Sequence, residues 1–409
     1  MKYLVVLIFL QLLIFYNCVL QAQWVQTNGP NGGEVNCLAV SGINIIAGTN
    51  GGVYLSTNNG TNWTQVNNGL TTTSVTSLAV SGTNVFAGTF GGGVFLSTNN
   101  GTNWTKVDNG LTNTNVLAFA VNGNNIFTGT DGGVFLSTNN GTSWTQLNNG
   151  LDYPTFVYCL TVSGANIFAG TGGDGVFLST NNGSSWTQVN NGLTNTLIWS
   201  LTISGINIFA GADVGIYLST NNGTNWTQVN NGLTDTTVNV LTVSGTNIFA
   251  GTDRGVFLSP NNGTNWTQVN NGLTNTSVIS LTVSGTNIFA GTFGTGVWRR
   301  PLSELTGVSK GVNDLPQEFT LFQNYPNPFN PNTVISYRLK GKGYVKLNVY
   351  DIKGDLIKVL VSETKEPGYY ETEFNAKGLA SGIYLYRIVV IGKGNIPVYS
   401  DMKKTVLLK

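Results

Sequence analysis

Leu55-Ser56-Thr57-Asn58-Asn59-Gly60-Thr61-Asn62-Trp63-Thr64-Gln65-Val66-Asn67-Asn68-Gly69-Leu70 is written along this chain again and again, about once every forty residues. Its tryptophan recurs at Trp63, Trp104, Trp144, Trp186, Trp226 and Trp266, at spacings of 41, 40, 42, 40 and 40. The text between the tryptophans has four parts. In the sixth copy Val238–Val243 alternates, and Asn247–Thr252 follows a Ser-Gly turn. Gly255–Ser259 follows a second turn, and Trp266–Val269 follows Asn261-Asn262-Gly263. β-Branched and aromatic residues bounded by Gly and Asn give short antiparallel strands. Four such strands repeated at this period make the blade of a β-propeller. We letter them a to d, from the axis outward.

The first strand recurs near Val35, Val75, Val116, Val157, Ile198, Val238 and Val278, which is seven copies. The fourth strand follows complete only six times, because the seventh copy stops at Gly296-Val297-Trp298-Arg299-Arg300. The missing piece stands at the other end of the chain, where Trp24-Val25-Gln26-Thr27 matches Trp-Thr-Gln-Val. An N-terminal strand lent to the last blade closes the ring and removes its open edges. An open solenoid would carry capping repeats instead. The expectation is an all-β chain with a closed seven-bladed propeller over residues 23–302.

Charge is scarce, at 9% of residues, which suits strands and tight turns rather than helix. Between Trp24 and Arg300 there are eight acidic and four basic side chains, a net of −4, whereas Pro301 to Lys409 carries ten acids and fourteen bases, a net of +4. A weakly acidic repeat has no electrostatic footprint for nucleic acid. Residues 1–22 read as a secretory signal peptide: Lys2, an apolar run from Leu4 to Phe15, then Gln21-Ala22-Gln23. The apolar run is too short to span a bilayer, so the mature chain is expected to have no transmembrane segment. Cleavage there leaves Cys37 and Cys159, in equivalent strands of repeats one and four. Positions on far sides of a ring do not come within the roughly 7 Å that a disulfide needs, so both read as buried free thiols.

Ser56, Asn58, Gly60 and Trp63 fit the pattern Ser-x-Asp-x-Gly-x-x-Trp with Asn in place of Asp. The same positions recur as Ser97, Asn99, Gly101 and Trp104, and as Ser219, Asn221, Gly223 and Trp226. The motif resembles the Asp-box (BNR) repeat of sialidase-like propellers. That resemblance implies a structural c–d hairpin at the blade periphery, away from any active site. The physics agrees: Gly permits a left-handed turn, and the Asn oxygen can accept N–H bonds within it. Sialidases draw an arginine triad from separate blades and use a Tyr nucleophile with a Glu partner. Here the propeller has three arginines, two of them adjacent, and Glu34 is its only Glu. Sialidase activity is therefore not expected. The chain has no His, which excludes His-based triads and most zinc sites. Its Gly-rich runs do not open helices, so they are turns and not phosphate loops. No catalytic residue, metal or cofactor is expected.

The copies differ mainly in the b–c turn and the d–a link, which emerge on one end of the disc, opposite the Asn boxes. Asp131, Asp174, Asp213 and Asp253 place one acid in each b–c turn of blades three to six. Tyr153, Phe156, Tyr158 and Trp199 are assigned to the inter-blade links nearby. Aromatic faces beside carboxylates suit a carbohydrate or a cationic ligand. The plainer reading is that Asp-Gly is an ordinary hairpin pair. A hydrolase would need two carboxylates roughly 5–9.5 Å apart.

After Pro301 the repeat stops, and 303–317 reads as a linker. Phe319–Pro331, with its Asn-Pro repeats, then Val345–Asp351, Gly354, Pro367-Gly368-Tyr369-Tyr370, Leu379–Tyr386 and Lys403–Lys409 follow. This text resembles the type A sorting domain of the type IX secretion system, over residues 318–409. The resemblance implies export across the outer membrane of a Gram-negative bacterium, with the type IX machinery as partner. Alternating strands with Gly/Pro turns suit a small Ig-like β-sandwich. The whole reads as a secreted or cell-surface, non-catalytic binding module for a glycan or protein ligand. The alternatives are a glycoside hydrolase or lyase using Asp pairs, and a purely structural surface module.

Overall fold

Each copy of the repeat folds into one four-stranded antiparallel sheet, in the order a-b-c-d. In the first blade the strands are Val35–Ser41, Asn44–Thr49, Gly52–Ser56 and Thr64–Gln65. Around the ring, strand a of each blade packs on strand a of the next, and the seventh packs on the first. This computed structural model describes residues 23–30, 33–151, 155–305, 318–324, 327–392, 394 and 396–408. The expected signal segment, residues 1–22, lies outside the described residues.

Strand b is buried along nearly its whole length, so its residues are apolar or small. Gly48 shows why: a Cβ there would stand 2.4 Å from Cys37 Sγ and 2.6 Å from Val75 Cγ1 of the next blade. The sheets meet that closely because this position has no side chain. Cys37 and Cys159 remain free. The residues are part-buried rather than fully buried, but burial still pushes both thiols well above the usual cysteine range.

Strand d is only two residues long in every blade, too short to hold an edge by ladder bonds alone. The tryptophan before it does the holding. Trp104 Nε1 donates to Val66 O of the preceding blade at 2.8 Å, and Trp266 Nε1 donates to Val229 O at 2.7 Å. The N-terminal strand, Val25–Gln26, takes the same place in the seventh sheet. Val25 pairs with Arg299 and Gln26 with Trp298. Trp24 is 2% exposed, and its Nε1 donates to Val269 O at 2.7 Å. The displaced text thus behaves as a seventh copy, down to the indole bond. In the first blade Trp63 finds Thr27 Oγ1 at 3.1 Å, because Thr27 stands where other blades have the d-strand Val or Leu.

The Asn box is a closed c–d turn. Ser56 Oγ donates to Asn58 Oδ1 at 3.0 Å and accepts from Gly60 N at 2.9 Å, and Asn62 N donates to Asn58 Oδ1 at 2.9 Å. Asn59 adopts φ 57° and Gly60 φ 79°, left-handed conformations that Asn and Gly tolerate best. The seventh blade has no box. Arg300 stands at the Ser position, 2% exposed, and its Nη1 donates to Val269 O at 3.0 Å. Burial lowers its pKa, opposed by the charge of Glu304. Arg299 Nη1 donates to Asn59 O of the first blade at 2.7 Å. The two arginines thus clamp the closing blade from both sides. Leu302–Leu305 forms a short helix, with Leu305 buried in the core of the last blades. The expected linker therefore starts later than residue 303; its positions 306–317 lie outside the described residues.

The chain divides into two compact units, Met1–Val308 and Ser309–Lys409. The second is a two-sheet sandwich. One sheet holds Thr320–Leu321, Asn332–Leu339 and Gly368–Asn375; the other holds Leu356–Lys365, Gly343–Tyr350, Gly382–Ile391 and Pro397–Leu407 in that spatial order. Alternation sends Ile335, Tyr337 and Leu339 from one sheet, and Val345, Leu347, Tyr386 and Ile388 from the other, into a shared core. Phe329 of the Asn-Pro segment is buried, donating its N–H to Val406 O at 2.9 Å and accepting from Leu408 N at 3.0 Å. The Asn-Pro text thus lies along the last strand of the unit.

Candidate functional site

Every strand a of the propeller carries a β-bulge at its second residue. The bulged residues are Asn36, Thr76, Leu117, Tyr158, Trp199, Asn239 and Ile279. A bulge leaves one residue without a ladder partner and re-aims its side chain. Here that occurs at the start of the innermost strand, on the b–c/d–a end of the disc. The result is a ring of seven side chains, no two neighbours alike, on a scaffold that otherwise repeats. Several reach the b–c turn of their own blade. Asn36 Nδ2 donates to Asn50 Oδ1 at 3.0 Å, Trp199 Nε1 to Asp213 Oδ1 at 2.6 Å, and Asn239 Nδ2 to Asp253 Oδ1 at 3.0 Å.

Blades four and five carry the aromatic part of this ring. Trp199 stacks on Tyr158 with centroids 4.8 Å apart and planes 12° from parallel. Phe156, 44% exposed, tilts against Tyr158 at 6.3 Å. Asp213 takes the indole N–H, so the part-buried Trp199 ring is held by a charge-assisted bond and its one donor is used. Tyr158 and Trp199 belong to strand a, within Val157–Ser163 and Ile198–Ser204, and not to the inter-blade links where the sequence puts them. A bulge, not a loop, aims them. Tyr153 lies outside the described residues.

The four acids do not form one arc. Asp131, Asp213 and Asp253 are the first loop residues of two-residue b–c turns. Asp131 accepts from Asn115 Nδ2. Asp174 sits in a turn one residue longer and is the last residue of its loop. There its backbone carbonyl accepts from Gln188 Nε2 at 2.8 Å and Asn190 Nδ2 at 2.7 Å, the role Val214 plays in the next blade. The blade-four position matching Asp131 is Gly172, where a Cβ would stand 2.9 Å from the Tyr158 ring. That glycine makes room for the aromatic shelf. Each of Asp131, Asp213 and Asp253 already accepts a hydrogen bond from a neighbouring side chain, which gives it a positioning task.

The same end carries two further exposed rings. Phe90 and Phe293 are each 59% exposed in the b–c turns of blades two and seven. Phe90 N donates to Ser74 O at 2.9 Å and Phe293 N to Ser277 O at 3.0 Å, so both turns are pinned alike. A depression of about 530 Å3 nearby, lined by Thr112, Asn113, Gly132, Gln146, Asn148 and Leu151, contains none of these residues. Its Asn148 is spent on Val134 N and Gly132 O. Apart from Tyr158 and Trp199, the bulge ring escaped the sequence-based site, and so did Phe90 and Phe293, although both stand in the b–c turns that vary between copies. The signal that could have found the bulge ring is one variable position directly after the repeated Val or Ile that opens strand a.

No curated protein matches the sequence. Residues 323–395 match the secretion system C-terminal sorting domain, and residues 85–196 match the DUF6242 beta propeller domain. Among solved structures, PorZ, an essential bacterial surface component of the type-IX secretion system of Porphyromonas gingivalis, is similar at TM-score 0.54 and 16% identity, over 94% of this chain and 61% of its own. This chain thus spans about three fifths of that protein. YCF48 from Cyanidioschyzon merolae is similar at TM-score 0.55 and 15% identity, over 68% of this chain and 98% of its own. The GH74 xyloglucanase from Xanthomonas campestris is similar at TM-score 0.56 and 14% identity, over 78% of this chain and 59% of its own. At such identities the likeness shows the fold alone. The chain is a β-propeller followed by a sorting domain, and that domain points to export to the cell surface or secretion.

Proposed function

We propose that this protein is a secreted or surface-held binding module whose ligand face is the b–c/d–a end of the propeller. The observation that carries the reading is the Phe156–Tyr158–Trp199 shelf, whose Tyr and Trp stand on neighbouring inner strands and whose Trp is locked by Asp213. Aromatic area held at low entropy cost is what a binding hot spot offers. One solved propeller of similar fold is described as YCF48 bound to a D1 peptide, which supports a binding role for such a scaffold. Residues 1–22 would direct export from the cytoplasm, and the sorting domain would engage the type IX secretion machinery.

The likeness to the GH74 xyloglucanase favours one second reading, a glycoside hydrolase using paired aspartates on this face. Against it, three of the four aspartates, Asp131, Asp213 and Asp253, are tied to Asn115, Trp199 and Asn239. Screening the whole chain on glycan and peptide arrays, then assaying each hit for turnover, separates the two. The binding reading expects a hit without turnover. It also expects Trp199→Ala to weaken that hit by about 1–3 kcal/mol, the usual loss of an aromatic anchor. If Trp199→Ala and Asp174→Ala leave affinity unchanged while a folded Asn-box variant abolishes it, the ligand face is the opposite one.

A further inference from the structure

Strand direction sorts the propeller's charges by end. Glu34 and Asp235 lie in d–a links, Asp131, Asp174, Asp213 and Asp253 in b–c turns, and Asp108 just past the end of a strand d. Asp108 faces its b–c turn, since a Cβ on Gly93 would stand 2.7 Å from Asp108 Oδ2. Of the eight described acids between residues 23 and 305, seven therefore lie on the b–c/d–a end; the eighth, Glu304, follows strand c of the seventh blade at the Asn-box end, 3.9 Å from Arg300 Nε. On the acidic end the cations are Arg254, in a b–c turn, and Lys106, which is paired to Asp108 at 2.8 Å. The other two arginines serve the ring closure described above.

Exposed aromatic rings stand on this same end. Phe90 and Phe293 flank blade one, whose polar groups form a connected chain. Asn36 Nδ2 donates to Asn50 Oδ1 at 3.0 Å, Asn50 Nδ2 donates to Glu34 Oε2 at 3.0 Å, and Ser74 Oγ donates to Asn50 Oδ1 at 3.4 Å. A carboxylate is thus held in place in blade one, and the blades on either side each carry a ring that is 59% exposed. The repeat buries most of its Phe side chains, so two left exposed on the acidic end are available to a partner. Rings carry a negative face, so rings and carboxylates together favour a cation over a neutral or anionic partner.

We infer that this end docks a basic, extended polypeptide segment of a partner protein, with Phe90 and Phe293 as cation–π contacts and Glu34 as a charge partner in blade one. The inference rests on the reading that this end is the ligand face, and it adds the ligand's class. Charge complementarity selects the occupant: a field of one sign gathered on one end raises the local concentration of the opposite sign.

The test uses the whole chain and a fluorescein-labelled oligolysine peptide, with a Gly-Ser peptide as the neutral control. Oligolysine should bind saturably, and the Gly-Ser peptide should not. Raising salt well above physiological strength should weaken binding about tenfold or more, because exposed charges are screened. Phe90→Ala with Phe293→Ala should weaken it roughly five- to twentyfold, as expected for two exposed cation–π contacts. Both rings are exposed, so melting should not move. Glu34→Gln should weaken binding in the same direction. Ile43→Ala with Ile206→Ala, both exposed in a–b turns at the Asn-box end, should change nothing. Oligolysine binding that ignores the Phe pair would be bare charge attraction and would overturn the inference. Failure of oligolysine beside a neutral glycan whose binding needs Trp199 would overturn it too, with the ligand face intact. Binding lost only in the Ile43/Ile206 variant would overturn both.

Discussion

Asn181 shows how one side chain holds a turn that the chain repeats six times. Its Oδ1 accepts from Ser179 Oγ at 2.9 Å and from Ser185 N at 2.9 Å, while Asn182 beside it is left-handed at φ 55°. Asn181→Ala should cost about 1–2 kcal/mol in chemical denaturation, since a turn N–H loses its acceptor. Asn181→Asp keeps both acceptor bonds, and Ser185 Oγ, which accepts from Asn181 Nδ2 at 2.9 Å, can donate to the carboxylate instead, so it should stay within about 0.5 kcal/mol of the parent. The pair isolates the oxygen as the working atom. Neither variant should alter ligand binding, because the box lies at the end opposite the bulge ring. Trp24 works at the same scale with a larger stake. Its indole is buried and bonded to Val269 O, so Trp24→Ala should cost about 3–5 kcal/mol, in the range for buried aromatic truncations.

Among elements, the strand Val25–Gln26 decides whether the ring is closed. Deleting residues 23–28 removes Trp24, both ladder pairs and the Thr27 N–H bond to Val297 O at 2.9 Å. The strand Gly296–Pro301 then becomes an open edge, and such edges pair with other chains. The truncated protein should melt lower or aggregate in light scattering; unchanged melting and solubility would contradict the closure. This element was legible in advance because Trp24–Thr27 repeats a pattern written six times elsewhere. The bulges were not legible. A bulge is a mismatch in residue count between two paired strands, and it appears only once register is known. Trp199 was therefore picked out for its residue type but placed in the wrong element. Asp174 misled for a related reason. Its turn is one residue longer, so the same letter near the same place does a different job.

At the scale of the molecule, the two units divide the work. Residues 318–409 should be dispensable for the propeller's fold and required for its export. A chain ending near Leu305 keeps the buried helix contact and should fold in the cytoplasm. The gene lacking residues 318–409 should leave its product in the periplasm, read by fractionation, and normal extracellular levels would contradict the sorting role. The sorting unit was legible because its blocks run through the whole domain. The ligand was not, because the repeat specifies a scaffold and the few positions that differ specify the rest. The most direct test of the central claim is hydroxyl-radical footprinting of the whole chain, free and with its strongest array ligand. The account predicts protection at Phe90, Phe156, Tyr158, Trp199 and Phe293, with none at Ile43 or Ile206. Protection confined to Ile43, Ile206 and the Asn boxes would show that the ligand face is the other end.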